Sequence, residues 1–148
     1  LSMKKSQRLK VVLDQAERNE QAALEQMTAA KRYLDDQTAQ MDNLKQYHNQ
    51  YLADMKRGLG SVQSVTQLQS SLHFVNQIDV AIQQQQLVVD QGQKAFNITK
   101  EKWSALHQKT KGLADLIQRY KDEENALADK REQKQLEDAL QARMFRRK

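Results

Sequence analysis

The chain has 148 residues, a formal net charge of +5, no proline and no cysteine. The lack of cysteine excludes disulfides, thiolate metal sites and cysteine catalysis. Aromatic residues make up only 5% and charged residues 29% of the chain, and Gln is frequent, which favours a thin assembly of helices over a broad globular core. The longest aliphatic run, Leu87-Val88-Val89, is too short to span a membrane.

A first helix is predicted over about residues 4–57, because apolar residues recur there at spacings of four and three, as in a coiled-coil seam. Its predicted seam positions are Leu9, Leu13, Ala16, Glu20, Ala23, Met27, Ala30, Leu34, Gln37, Met41, Leu44, His48, Tyr51 and Met55. Gly58 and Gly60 then allow the chain to leave the helix, so a turn is predicted at about 58–63.

A second helix is predicted over about 64–143, starting with a capping box in which Ser64 is the cap and Gln67 lies three residues later. Its predicted seam positions are Leu68, Val75, Ile78, Ile82, Gln85, Val89, Gly92, Phe96, Thr99, Trp103, Leu106, Thr110, Leu113, Ile117, Tyr120 and Leu127. The pattern fades after Leu127.

Two seamed helices joined by a short turn predict an all-α fold, an antiparallel coiled-coil hairpin that forms a single domain over 1–148. A turn centred near residue 61 places Leu34 opposite Val88 and Val89, and Tyr47 opposite Phe74. The second helix is the longer one, so its end is expected to form a basic overhang of about 25 residues without an intrachain partner.

The flanking positions of the seam are asymmetric. The e positions are mostly polar, whereas many g positions are apolar or aromatic, and the two g rows of an antiparallel pair lie on the same side. The members of this g-side stripe are Val12, Tyr33, Gln40, Tyr47, Phe74, Ala81, Val88 and Ala95. The stripe is interpreted either as a widened seam or as a docking face for a partner.

Both termini are rich in cations, which suit an acidic protein surface, nucleic acid or anionic lipid. Catalysis is not expected: no phosphate-binding loop, nucleophile motif or metal-ligand spacing around the three histidines is present. We therefore expect no enzyme, no cofactor, no metal and no small-molecule substrate. No secretory signal peptide is evident and Met3 is the expected native start, so a cytoplasmic protein is predicted.

Two stretches resemble the flagellar type III export protein family FliJ. They are MDNLKQYHNQY after Gln40 and FVNQIDVAIQQQ from Phe74 to Gln85, followed by Trp103 and a basic tail. The resemblance implies a surface that binds the export-gate protein FlhA. Its positions in this chain are Gln40, Leu44, Tyr47, Tyr51, Phe74, Ile78, Ala81 and Gln85, the last standing where the family leads us to expect His.

The resemblance also implies a stalk similar to the central coiled-coil subunit of rotary ATPases. Its joined termini are expected to enter the ring of the export ATPase FliI, and the family is further implied to hold and recycle export chaperones. The expected ring contacts are Lys4, Lys5, Arg8, Arg143, Phe145, Arg146 and Arg147. Such a protein is peripheral to the inner membrane through protein contacts and binds no nucleic acid.

Three other functions stay open at this point. The equivalent stalk of a virulence type III injectisome belongs to the same class of protein. A nucleic-acid-binding coiled-coil arm is suggested by the net charge, although few aromatic residues accompany the basic ends. A cytosolic holdase would use the apolar stripe to grip unfolded proteins.

Overall fold

The computed structural model describes residues 3–58 and 64–147. They form two helices, α1 (Lys5–Gly58) and α2 (Val65–Arg146), and the described residues contain no strand. The all-α prediction is confirmed. Gly58 ends α1, whereas residues 59–63 of the predicted turn lie outside the described part of the chain.

The predicted capping box forms at the start of α2. The backbone N–H of Gln67 donates to Ser64 Oγ at 3.1 Å, and the backbone N–H of Ser64 donates to Gln67 Oε1 at 3.4 Å. Two backbone donors that the first turn of a helix leaves without partners are thereby satisfied.

The chain divides into two compact units. Unit 1 combines Leu1–Gln21 with Ser104–Lys148, and unit 2 comprises Ala22–Trp103. Each unit pairs a segment of α1 with a segment of α2. In unit 2 Tyr51 contacts Phe74 and Gln26 contacts Lys102, so the paired segments are antiparallel. In unit 1 Glu20 contacts His107 and Ser6 contacts Glu124, which gives the same direction.

The seam is where the heptad pattern predicts it. All predicted seam positions from Leu9 to Tyr120 are buried or half-buried, and Leu127 is exposed. The buried apolar side chains are Ala16 and Ile117 in unit 1 and Ala23, Leu34, Met41, Val75 and Ile78 in unit 2. This small set makes each side chain of the core important for stability.

The cross-seam contacts of unit 2 fit the predicted register in part. Gln85 bonds to Gln37, a pair that a turn centred near residue 61 places opposite each other. A Cβ added at Gly92 would lie 3.5 Å from Leu34 Cδ1, so Leu34 packs against Gly92, about one helical turn beyond the predicted Val88. Phe74 packs against Tyr51, with ring centroids 4.8 Å apart, whereas the prediction places Phe74 opposite Tyr47.

Gly112→Ala should raise the free energy of unfolding by about 1 kcal/mol, because glycine is a poor helix former and Gly112 is an exposed interior residue of α2. A Cβ built at Gly112 meets nothing within 4 Å. Gly92→Ala is the matched glycine-to-alanine variant in the same helix. A Cβ added at Gly92 would make only ordinary van der Waals contacts. Urea denaturation followed by circular dichroism measures both, and a loss of stability for Gly112→Ala would contradict this account.

Candidate partner-binding surfaces

The g-side stripe of unit 2 carries exposed aromatic side chains. Tyr47 is 66% exposed and Phe74 is 44% exposed. Tyr33, Gln40 and Ala95 are also exposed, while Ala81 and Val88 are half-buried. Gln40, Asn43, Leu44 and Tyr47 line a surface concavity beside the stripe. The outer edge of the stripe is thus accessible apolar surface, of the kind that marks protein interfaces.

The eight residues that the resemblance assigns to the export gate do not form one exposed patch. Gln40, Tyr47 and Phe74 are exposed, and Leu44, Tyr51 and Ala81 are half-buried. Ile78 is a buried seam residue. The exposed members are therefore available to a partner, whereas Ile78 supports the surface from below.

Gln85 points into the seam. Its side-chain N–H groups donate to the backbone oxygen and to Oε1 of Gln37, both at 2.8 Å. The amide thereby links α2 to α1 in unit 2. This geometry indicates that the residue standing in place of the expected His joins the two helices.

The basic N-terminal residues lie against α2 in unit 1. Lys5 Nζ lies 5.5 Å from the centroid of the Tyr120 ring, a cation–π geometry. Lys5 and Arg8 line a surface concavity together with Leu9, Val12 and Tyr120. Lys4, Lys5 and Arg8 are exposed, so their charges stay accessible to a partner.

The basic C-terminal residues lie on an exposed stretch at the end of α2. Every residue from Asn125 to Arg147 is exposed, including Phe145. The Ser6–Glu124 contact places the start of α1 beside Glu124. Arg143 lies 19 residues further along the helix, about 28 Å away at 1.5 Å per residue. The predicted cations therefore form two separate clusters in unit 1.

Comparison with known protein families shows the family of the chain. The model of the family described as "Flagellar FliJ protein" matches residues 4–148. The chain belongs to the FliJ family. It is thus a flagellar export-related protein. No curated protein and no solved structure matches it. Within residues 3–58 and 64–147, this FliJ-family member has no helix long and apolar enough to cross a membrane.

Glu124 caps the start of α1, a contact that sequence reasoning missed. The Ser6 hydroxyl donates to Glu124 Oε2 at 2.8 Å and the Ser6 N–H donates to Oε1 at 3.3 Å. The first turn of α1 has no acidic residue of its own, so α2 supplies the anion that a helix N-terminus favours. Ser6 lies one heptad before Leu13. Extending the seam pattern toward the N-terminus would therefore have placed Ser6 at a seam position.

The pKa of Glu124 is lowered from its ordinary value. The Ser6 hydroxyl is the largest cause, and partial burial opposes the shift. The Ser6 N–H and the charges of Lys4 and Lys121 also lower this pKa. Since the ionised form is the better acceptor, the cap stabilises the fold above the ordinary pKa of a glutamate. That contribution is lost as the pH falls through the lowered pKa of Glu124.

Glu124→Gln should therefore be less stable than the native chain near neutral pH, and the difference should shrink as the medium is acidified to about pH 3. Denaturant midpoints of both chains across this range measure the effect. Glu123→Gln is the control, because Glu123 is an exposed neighbour on the same helix. A stability difference between the native chain and Glu124→Gln that is constant with pH would contradict the proposed cap.

Two histidines of this FliJ-family chain face carboxylates across the seam. His48 Nε2 lies 2.7 Å from Asp79 Oδ1 in unit 2, and His107 Nδ1 lies 2.6 Å from Glu20 Oε1 in unit 1. These pairs link α1 to α2. No group of three or more potential metal ligands occurs in the described part of the chain. Sequence reasoning missed both pairs because they depend on the register.

Proposed function

We propose that the chain is a non-enzymatic coupling stalk of the flagellar type III export apparatus. It connects the ring of the export ATPase to the export gate protein, at the cytoplasmic face of the inner membrane. It also escorts export chaperones. Membership of the flagellar family supports this assignment over the stalk of an injectisome.

The observation that carries the proposal is the exposed end of α2. Every residue from Asn125 to Arg147 is exposed, although this stretch carries apolar side chains such as Leu140 and Phe145. An isolated helix gains little stability from propensity alone. A helix of this length with exposed apolar and cationic side chains is suited to insertion into a partner.

The exposed edge of the g-side stripe supports the second contact. Tyr47 and Phe74 combine apolar ring area with exposure, and aromatic residues often anchor interfaces. These residues belong to unit 2, whereas the exposed end of α2 belongs to unit 1. Two distinct surfaces suit a protein that holds two partners at once.

A bridging experiment tests the proposal. The soluble domain of the gate protein is immobilised and incubated with the export ATPase, with and without the chain. We expect ATPase retention only when the chain is present. Retention should be lost for the double variant Tyr47→Ala/Phe74→Ala and kept for Val11→Ala, an exposed residue outside the stripe. Mutually exclusive binding of the two partners would contradict a coupling stalk.

A further inference from the structure

A second apolar row runs along α2 in unit 2, apart from the g-side stripe. Val65, Leu72, Val80 and Leu87 are each between 47% and 72% exposed. Their spacings of seven and eight residues keep them on one side of the helix. The buried Val75 and Ile78 occupy roughly the opposite side, so this outer row faces away from the seam.

Exposed amides fill the gaps of the outer row. Gln69, Asn76 and Gln83 lie between its aliphatic members and are themselves exposed. The combined series is Val65, Gln69, Leu72, Asn76, Val80, Gln83 and Leu87. Its spacings are four and three residues in an order that reads the same in both directions. The series is thus a second, short seam with Asn76 at its centre.

This symmetric spacing favours a second copy of the same helix as the binding partner of the outer row. When a second copy of α2 is laid antiparallel with Asn76 as the centre, Val65 meets Leu87 of the second copy. Leu72 likewise meets Val80 of the second copy. In the remaining layers Gln69 meets Gln83 of the second copy, and the two Asn76 side chains meet each other. Amides pair well in this way because each carries both donors and an acceptor.

The charges of the segment also permit self-association. Between Val65 and Gln93, α2 carries no Lys or Arg, and its acidic residues are Asp79 and Asp90. Little like-charge repulsion therefore opposes contact between two copies. In the antiparallel arrangement the lysines from Lys94 onward point away from those of the other copy, whereas a parallel arrangement would align them.

We propose that the outer row is a self-association surface through which two copies form an antiparallel, two-fold symmetric dimer centred on Asn76. A polar Asn at a seam position fixes register and oligomeric state at a cost in stability. The face is self-complementary, as a two-fold interface requires. Four aliphatic side chains per copy form a small interface, so the association is weak and concentration-dependent. The inference goes beyond the proposed function and does not depend on it.

Sedimentation equilibrium of the full chain over a range of concentrations tests the dimer. Val80→Lys should raise the dissociation constant about tenfold or more, because it places a cation in the small apolar interface. Val11→Lys, also at an exposed valine but outside the row, should leave it unchanged. Asn76→Leu should lower it, because it replaces the polar layer with an apolar one. A chain that stays monomeric, or a dimer indifferent to Val80→Lys, would overturn the proposal.

Cross-linking determines the direction, since the native chain has no cysteine. With a short bismaleimide, Asn76→Cys should cross-link to itself. Val65→Cys should cross-link to a chain carrying Leu87→Cys and not to another Val65→Cys chain. Self-cross-linking of Val65→Cys would indicate a parallel pair and overturn the antiparallel model. Association lost with Tyr47→Ala instead of Val80→Lys would assign the contact to the g-side stripe and also overturn it.

Discussion

Leu34→Ala is expected to lower the free energy of unfolding by about 2–5 kcal/mol, the range for truncation of a buried leucine. Leu34 is only 5% exposed. Its neighbour across the seam is Gly92, which has no side chain that could rotate to fill the space left by the lost methyl groups. With few buried side chains in unit 2, we expect a clearly lower denaturant midpoint by circular dichroism.

Tyr47→Ala is the matched comparison in the same helix. Because Tyr47 is two-thirds exposed, its truncation should change stability by only about 0.5 kcal/mol. It should nevertheless abolish binding to the gate protein if the g-side stripe is the docking face. Destabilisation by Tyr47→Ala as large as that by Leu34→Ala would show that the stripe is a widened part of the seam.

The sequence was sufficient to predict the helices, the capping box and the face that each helix buries. A seam pattern identifies that face because burial recurs every three or four residues. The same pattern cannot fix the register, since sliding one helix by about a turn again places apolar residues opposite each other. Leu34 is predicted near Val88 and Val89 and packs against Gly92, whereas Gln37 and Gln85 pair as the predicted register places them.

The contacts that sequence reasoning missed are bonds between residues far apart in the chain. Gln85 bonds to Gln37, and Ser6 bonds to Glu124. No local sequence pattern predicts such a pair. Exposure depends less on the register: Tyr47 and Phe74 occupy flanking positions, and both are exposed. The outer row is not evident from the heptad pattern, because Val65 and Leu72 fall at e positions whereas Val80 and Leu87 fall at f positions.

Removal of residues 141–148 is expected to abolish stimulation or assembly of the ATPase ring while gate binding is kept. The deleted stretch carries Arg143, Phe145, Arg146 and Arg147, all exposed. Thermal stability should barely change, because the removed side chains up to Arg147 contribute nothing to the buried core. Pull-downs with each partner and an ATPase assay measure the two activities separately.

Salt dependence separates the two surfaces further. Contacts made by exposed arginines are screened as ionic strength rises, so ATPase binding should weaken steeply with salt. Gate binding through the aromatic edge of the stripe should respond less. The triple variant Arg143→Gln/Arg146→Gln/Arg147→Gln retains Phe145 and the helix, so it should lose the salt-sensitive part of ATPase binding alone. Loss of gate binding with intact ATPase stimulation, in either variant, would reverse the assignment and give the ring contact to Tyr47 and Phe74.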